Sequence, residues 1–89
     1  MDLSKFNCDI SGWDVSNVEY MENVFCNAKL FNQDLSKWDT SRVESMRSMF
    51  YGATNFNQDI SSWDLKRAVG LDNMIQGCPI RDSYKPKGL

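Results

Sequence analysis

The sequence has no histidine among its 89 residues. It therefore lacks the one side chain that exchanges protons near neutral pH at its unperturbed pKa, and also the commonest metal ligand. Cysteine is scarce and odd in number, at Cys8, Cys26 and Cys78, with no C-x-x-C pair. A disulfide framework and a zinc site are both disfavoured by that count and spacing, and free, mostly buried thiols are expected. A basic excess is missing as well: 10 Lys and Arg stand against 12 Asp and Glu, for a net charge of -2. Without a basic face to neutralise phosphates, a nucleic-acid partner is not expected. No apolar run approaches the roughly 18 residues of a membrane span, and no basic amphipathic stretch suggests a membrane surface. The opening MDLSKFNCDI lacks a charged segment followed by an apolar one, so no signal peptide is read there. Nucleotide and nucleophile motifs (a P-loop, a dinucleotide fingerprint, G-x-S-x-G) are also missing.

What is present is a period. Phe6, Phe31 and Phe56 each open a block of the form F-N-x-D-[IL]-S-x-W-D: FNCDISGWD, FNQDLSKWD and FNQDISSWD. The copies align without gaps at 25 residues. Such a period is the signature of stacked units, each burying its apolar side against its neighbours. The sequence thus predicts a single domain over residues 1–80, in coils of about 6–30, 31–55 and 56–80. A polar tail over 81–89 is expected to fray. The cysteines do not follow the period: Cys8 replaces Gln33 and Gln58, Cys26 aligns with Tyr51 and Gln76, and Cys78 aligns with Ala28 and Ala53.

Within a coil the apolar spacing changes. Around Trp13-Asp14-Val15 the alternation predicts a short half-buried strand. Val18, Met21, Val24, Phe25 and Ala28, spaced by three, three, one and three, fit one helical face. Ser16-Asn17-Val18-Glu19 and Ser41-Arg42-Val43-Glu44 match a capping box, and Gly52, Gly77 and Asn27 suit helix C-terminal caps. Each coil then reads as strand, turn, short helix and loop. The fold class is α/β: a short solenoid of about three 25-residue strand–helix coils with a small parallel sheet. Three ladders are expected inside it: Trp13, Trp38, Trp63; Phe6, Phe31, Phe56; and Phe25, Phe50, Ile75. Lys66 and Arg67 replace the cap in the third coil, and Gly70 weakens its helix.

The pattern L-x-x-L-x-L followed by M-F-x-x-A-x-x-F resembles leucine-rich repeats of the BspA-like type. Its closest likeness is to the 25-residue variety abundant in mycoplasma surface lipoproteins and in other bacterial surface proteins. Phe31-Asn32-Gln33-Asp34-Leu35-Ser36-Lys37-Trp38-Asp39-Thr40-Ser41 and Phe56 to Asp64 carry the resemblance, which covers roughly Phe6 to Pro79. It implies a leucine-rich-repeat-like coil stack, display at the cell surface or secretion, and adhesion or host-protein binding. A chain of this kind without an export segment would instead stay in the cytoplasm or derive from a longer exported protein.

The candidate contact face is the row Asp14, Asp39, Asp64, flanked by Gly12, Lys37, Ser62 and by Ser16, Ser41, Lys66. Like charges at strand spacing repel by roughly 1 kcal/mol in water, so the row wants a cation, a basic partner or hydrogen bonds. The structural alternative is that each Asp accepts a backbone N–H in its turn. Asn7, Asn32, Asn57 with Asp9, Asp34, Asp59 could hold calcium, but the repeat lacks the glycines of a calcium roll. A buried Asn ladder tying coil to coil is preferred. Tyr20 and Tyr51 are expected to pack their rings against neighbouring coils. The carboxylates form a regular ladder rather than a pair in two different environments, so no acid/base catalysis is expected. No cofactor and no metal are expected. The reading is a non-catalytic module that binds another protein of unknown identity. The alternative is a structural module that self-associates end to end.

Overall fold

Twice in every 25-residue unit, four residues apart, the backbone turns left-handed. The φ angles are 61° at Asn23 and 60° at Asn27, 56° at Ser48 and 70° at Gly52, and 57° at Asn73 and 77° at Gly77. In this computed structural model, which describes residues 3–89, that repeated inversion decides the secondary structure. A left-handed residue cannot continue a right-handed helix. Instead, Ala28, Ala53 and Cys78 each donate their N–H three residues back, to Phe25, Phe50 and Ile75, at 3.0 Å. The left-handed residue stands third of four in each of these turns, the place where a type II turn requires Gly or Asn.

Alternate N–H groups of this segment leave the unit altogether. Those of Met21, Asn23, Phe25 and Asn27 donate to the carbonyls of Ser45, Arg47, Met49 and Tyr51, at 2.9, 3.0, 2.8 and 2.6 Å. Those of Met46, Ser48, Phe50 and Gly52 repeat the pattern onto Gly70, Asp72, Met74 and Gln76, at 2.7 to 2.9 Å. Every bond spans 24 residues. The three units are thus layers joined by a rail of backbone bonds, and every second N–H in the rail belongs to the next layer rather than to a helix.

This overturns the expected α/β strand–helix coil with a small parallel sheet. Among the described residues there is no α-helix and no strand. The regular elements are one 3-10 turn, Asp82–Tyr84, and two isolated parallel bridges, Tyr20 to Ser45 and Ser45 to Gly70. The bridges lie where the helix was expected, not at Trp13-Asp14-Val15. Ser16 and Ser41 cap no helix, and Gly52, Gly77 and Asn27 are turn residues rather than helix ends. Gly70 has a different role from the one its helix propensity suggested. A Cβ on it would lie 2.6 Å from Ser45 Oγ and 3.2 Å from Ser45 Cβ, so its bareness lets the third layer close on the second. A Cβ on Gly52 would run into Asn27 Oδ1.

The core is built of columns. Phe31 stacks on Phe6 and Phe56 with ring centroids 5.7 and 5.9 Å apart, and Phe25 on Phe50 at 5.5 Å. The two columns also touch from one layer to the next, Phe25 on Phe31 at 4.1 Å and Phe50 on Phe56 at 4.2 Å. Ile75 closes the second column partly buried. Trp38 and Trp63 lie parallel at 6.3 Å and are 6% and 4% exposed. Trp13 departs from the expected buried ladder: it is 61% exposed, because no layer covers it. Thr40 takes the position of Val15 and Leu65; it is buried, and its Oγ1 has no hydrogen-bond partner among the described residues.

The tail does not fray as expected. Ile80 and Pro86 are buried, the Ile60 N–H donates to the Tyr84 carbonyl at 3.0 Å, and the Arg81 guanidinium lies 4.9 Å from the centre of the Tyr84 ring. The thiols are free, but Cys8 is exposed and Cys26 and Cys78 only half-buried, against the expectation of burial. Cys78 Sγ donates to the Phe56 carbonyl at 3.3 Å, and burial pushes its pKa up.

Candidate functional site: the outward aspartate row and the open layer ends

Each Asp of the row is fixed by a bond to its own turn. Asp14 Oδ1 accepts the Ser16 N–H at 3.0 Å and the Ser16 hydroxyl at 2.6 Å. Asp39 repeats both bonds with Ser41, at the same distances. Asp64 accepts the N–H of Lys66 at 2.9 Å, where lysine offers no hydroxyl. Asp9, Asp34 and Asp59 make the same turn with the N–H groups of Ser11, Ser36 and Ser61, at 3.0, 2.8 and 3.0 Å. A side-chain oxygen accepting the N–H two residues on is the Asx turn, and it favours the ionised carboxylate. The pKa values follow. Asp14, Asp39 and Asp59 lie below the ordinary range, held down first by the serine hydroxyl and then by its N–H. Asp9 and Asp34 lie below it chiefly through the serine N–H.

The turn bonds take one carboxylate oxygen and leave the side chain outside. Asp14, Asp39 and Asp64 are exposed, and so are Gly12, Lys37 and Ser62 beside them. Ser16 and Ser41 are half-buried under the carboxylates, whereas Lys66 is exposed.

The asparagines tie layers together, but on the surface rather than in the core. Asn32 N–H donates to Asn7 Oδ1 and Asn57 N–H to Asn32 Oδ1, each at 2.9 Å. Gln33 and Gln58 reinforce these bonds through their amides, at 3.0 Å to the same oxygens. Cys8 stands where the first layer would have that glutamine. Among the described residues no three Cys, Asp or Glu side chains come together as a metal-binding group. No helix among them is long and apolar enough to cross a membrane.

The described surface holds concavities on two sides of the stack. One, of about 600 Å³, opens beside the third layer, with Trp63, Leu65 and Leu71 as its apolar wall and Ser62, Asp64 and Lys66 on its rim. It brings together the three third-layer members of the sequence-derived face. The other, of about 370 Å³, runs over the bridge column between Tyr20, Glu44, Arg47 and Val69. Tyr20 is 64% exposed and Tyr51 41%, so neither ring packs under a neighbouring layer as expected. The Tyr20 hydroxyl pairs with Glu44, which raises its pKa.

The sequence reading missed the unequal ends of the stack. Trp13, Tyr20, Val24 and Leu30, all of the first layer, are exposed, while Trp38 and Trp63 are covered. All three tryptophans lie in the same F-N-x-D-[IL]-S-x-W-D block, so the local sequence does not distinguish them and the position of the layer in the stack does. It also missed the second concavity, for which the unmatched Val69 and Gly70 were the only signal.

Against known proteins, a family model described as "Mycoplasma protein of unknown function, DUF285" matches residues 1–84. No curated protein and no solved structure matches.

Proposed function

We propose that this chain, which belongs to the DUF285 family of Mycoplasma proteins of unknown function, is a non-catalytic repeat module that binds another protein. By its resemblance to BspA-like surface repeats, the setting is recognition or adhesion at a cell surface. One observation carries the reading. The Asp row is locked by the same backbone bond in all three layers. The exposed positions beside it differ from layer to layer: Gly12, Lys37, Ser62, and then Ser16, Ser41, Lys66. A surface that is rigid in its frame and variable in its side chains is suited to specific contact. The apolar wall of Trp63, Leu65 and Leu71 adds a place for an anchoring side chain.

The test is adhesion of beads coated with the folded chain to cultured animal cells. The control is a Lys37→Glu, Lys66→Glu double variant with an unchanged melting curve. Binding by the native chain and its loss in the variant support the reading. Equal binding by both, or none by either, removes this face from consideration.

A second reading, self-association through the ends of the stack, is favoured by the concentration of exposed apolar side chains in the first layer. Monomeric proteins rarely leave large contiguous apolar patches open to water.

A further inference from the structure

The rule that joins one layer to the next is unfinished at both ends. The carbonyls of Tyr20, Glu22, Val24 and Cys26 occupy the positions that accept rail bonds in layers two and three, yet they accept none from the described residues. The N–H groups of Leu71, Asn73, Ile75 and Gly77 occupy the positions that donate rail bonds in layers one and two, yet they donate none to the described residues. One end therefore presents a row of acceptors and the other a row of donors, at the same spacing.

A side-chain bond obeys the same rule. Trp38 Nε1 donates to the Ile10 carbonyl at 3.1 Å and Trp63 Nε1 to the Leu35 carbonyl at 3.0 Å. Each of those carbonyls also accepts the turn N–H of its own layer, from Trp13 and Trp38, at 3.1 Å. Among the described residues, the Ile60 carbonyl accepts only the Trp63 N–H, and the Trp13 indole N–H has no partner.

We propose that the first-layer end of one copy docks on the third-layer end of a second copy, head to tail. Its Tyr20-to-Cys26 carbonyls then take the N–H row from Leu71 to Gly77, and its Trp13 indole donates to the Ile60 carbonyl. This rests on the second, self-association reading and names its partner and register. The occupant is another copy because donors, acceptors and indole fit together only in the register that already joins the layers. An unpaired backbone edge is a template for another chain, and a head-to-tail contact that does not close into a ring grows into a filament.

The tail competes for this seat. The Arg81 N–H binds Asn57 Oδ1 at 2.8 Å, the bond that Asn32 and Asn57 make on the layers before them. Residues 80–83 thus sit where Phe6 to Asp9 of the incoming copy belong, and docking displaces them. The tail takes the acceptor of the Asn column, whereas the N–H row from Leu71 to Gly77 makes no bond to the tail or to any other described residue.

Sedimentation velocity on the full chain tests this, with one variant per end: Trp13→Asp for the first layer and Leu71→Asp for the third. The native chain shows mass growing with concentration. Each variant alone weakens association by more than about tenfold, because a buried unpaired charge opposes docking. Mixed one to one, the variants form a dimer and nothing larger, since each supplies the intact end the other lacks. A native chain that stays monomeric overturns both the proposal and the self-association reading. Association that survives Leu71→Asp but not Trp13→Asp indicates a symmetric first-layer contact. That result overturns the head-to-tail register and leaves self-association standing. Should either variant lose its melting transition, Tyr20→Asp and Ile75→Asp take their places at the same ends.

Discussion

The indole N–H of Trp63 donates to the backbone carbonyl of Leu35 across 3.0 Å, 28 residues upstream, with the ring 4% exposed. Trp13 has the same local sequence and turn, but no layer on which to place its N–H. Replacing Trp63 with Phe keeps an aromatic ring in the column and removes only the donor and part of the ring. The expected loss of stability is about 1–3 kcal/mol, since it strands a buried carbonyl lone pair. Trp13→Phe is expected to stay within about 0.5 kcal/mol of the native chain, as an exposed substitution. Urea unfolding of both variants checks this; equal losses would refute the interlayer role.

Ser48 is left-handed at φ 56°, where the equivalent residues in the other layers are Asn23 and Asn73. Left-handed backbone costs an ordinary L-residue roughly 1–2 kcal/mol, and Asn bears it better through local hydrogen bonding. Ser48→Asn should stabilise the chain by about 0.5–1 kcal/mol. The shift in urea midpoint at unchanged slope is the measurement, and a lower midpoint would contradict the assignment.

Thr40 places a hydroxyl in the core with nothing to bond. Val15 fills the same position in the first layer with the nearest apolar shape. Thr40→Val therefore removes a desolvated polar group, and a gain of about 1–2 kcal/mol is expected in the same unfolding experiment. A loss would mean that the hydroxyl has a partner in solution.

Acid should weaken the fold through the turn carboxylates. Asp9, Asp14, Asp34, Asp39 and Asp59 all have pKa values lowered by the turn bonds that the fold holds in place. A group lowered on folding contributes stability that is fully present above its unfolded pKa of about 3.9 and is lost as pH falls through the folded value. The melting temperature should hold from neutral pH to about pH 5 and then fall steadily below about pH 4. Asp39→Asn, which keeps an acceptor but cannot ionise, should flatten part of that fall. If its acid profile matches the native one, the carboxylate contributes nothing through its charge.

The period, the pairing of like residues between layers and the Asx turns were legible in the sequence. They depend on residue type at fixed spacing, and Asp two residues before Ser carries its own geometry. The helix and strand were not. Val18, Met21, Val24, Phe25 and Ala28 carry a spacing that fits one helical face. Of these, Met21, Phe25 and Ala28 are buried, Val18 is partly buried and Val24 lies outside. Inward residues at intervals of three and four arise equally from a run of four-residue turns. The deciding signal was Asn or Gly recurring four residues apart, at Asn23 and Asn27 or Asn73 and Gly77. A helix seldom places two left-handed formers one turn apart in its middle. For the candidate face, the sequence found Ser62, Asp64 and Lys66, but their apolar neighbour Leu71 comes from the far side of the layer and required the fold.

The rail bonds all span 24 residues, and the Asn and Trp side chains reach 25 and 28. These offsets make the coding sequence modular in a quantised way. Gain or loss of 25 codons by unequal recombination adds or removes a layer and leaves every surviving contact in register. Insertion of a single codon between Trp38 and Phe56 lengthens the second layer by one residue and throws each column beyond it out of step. Length variation in such a chain should therefore be tolerated in whole repeats and purged in fractions of one.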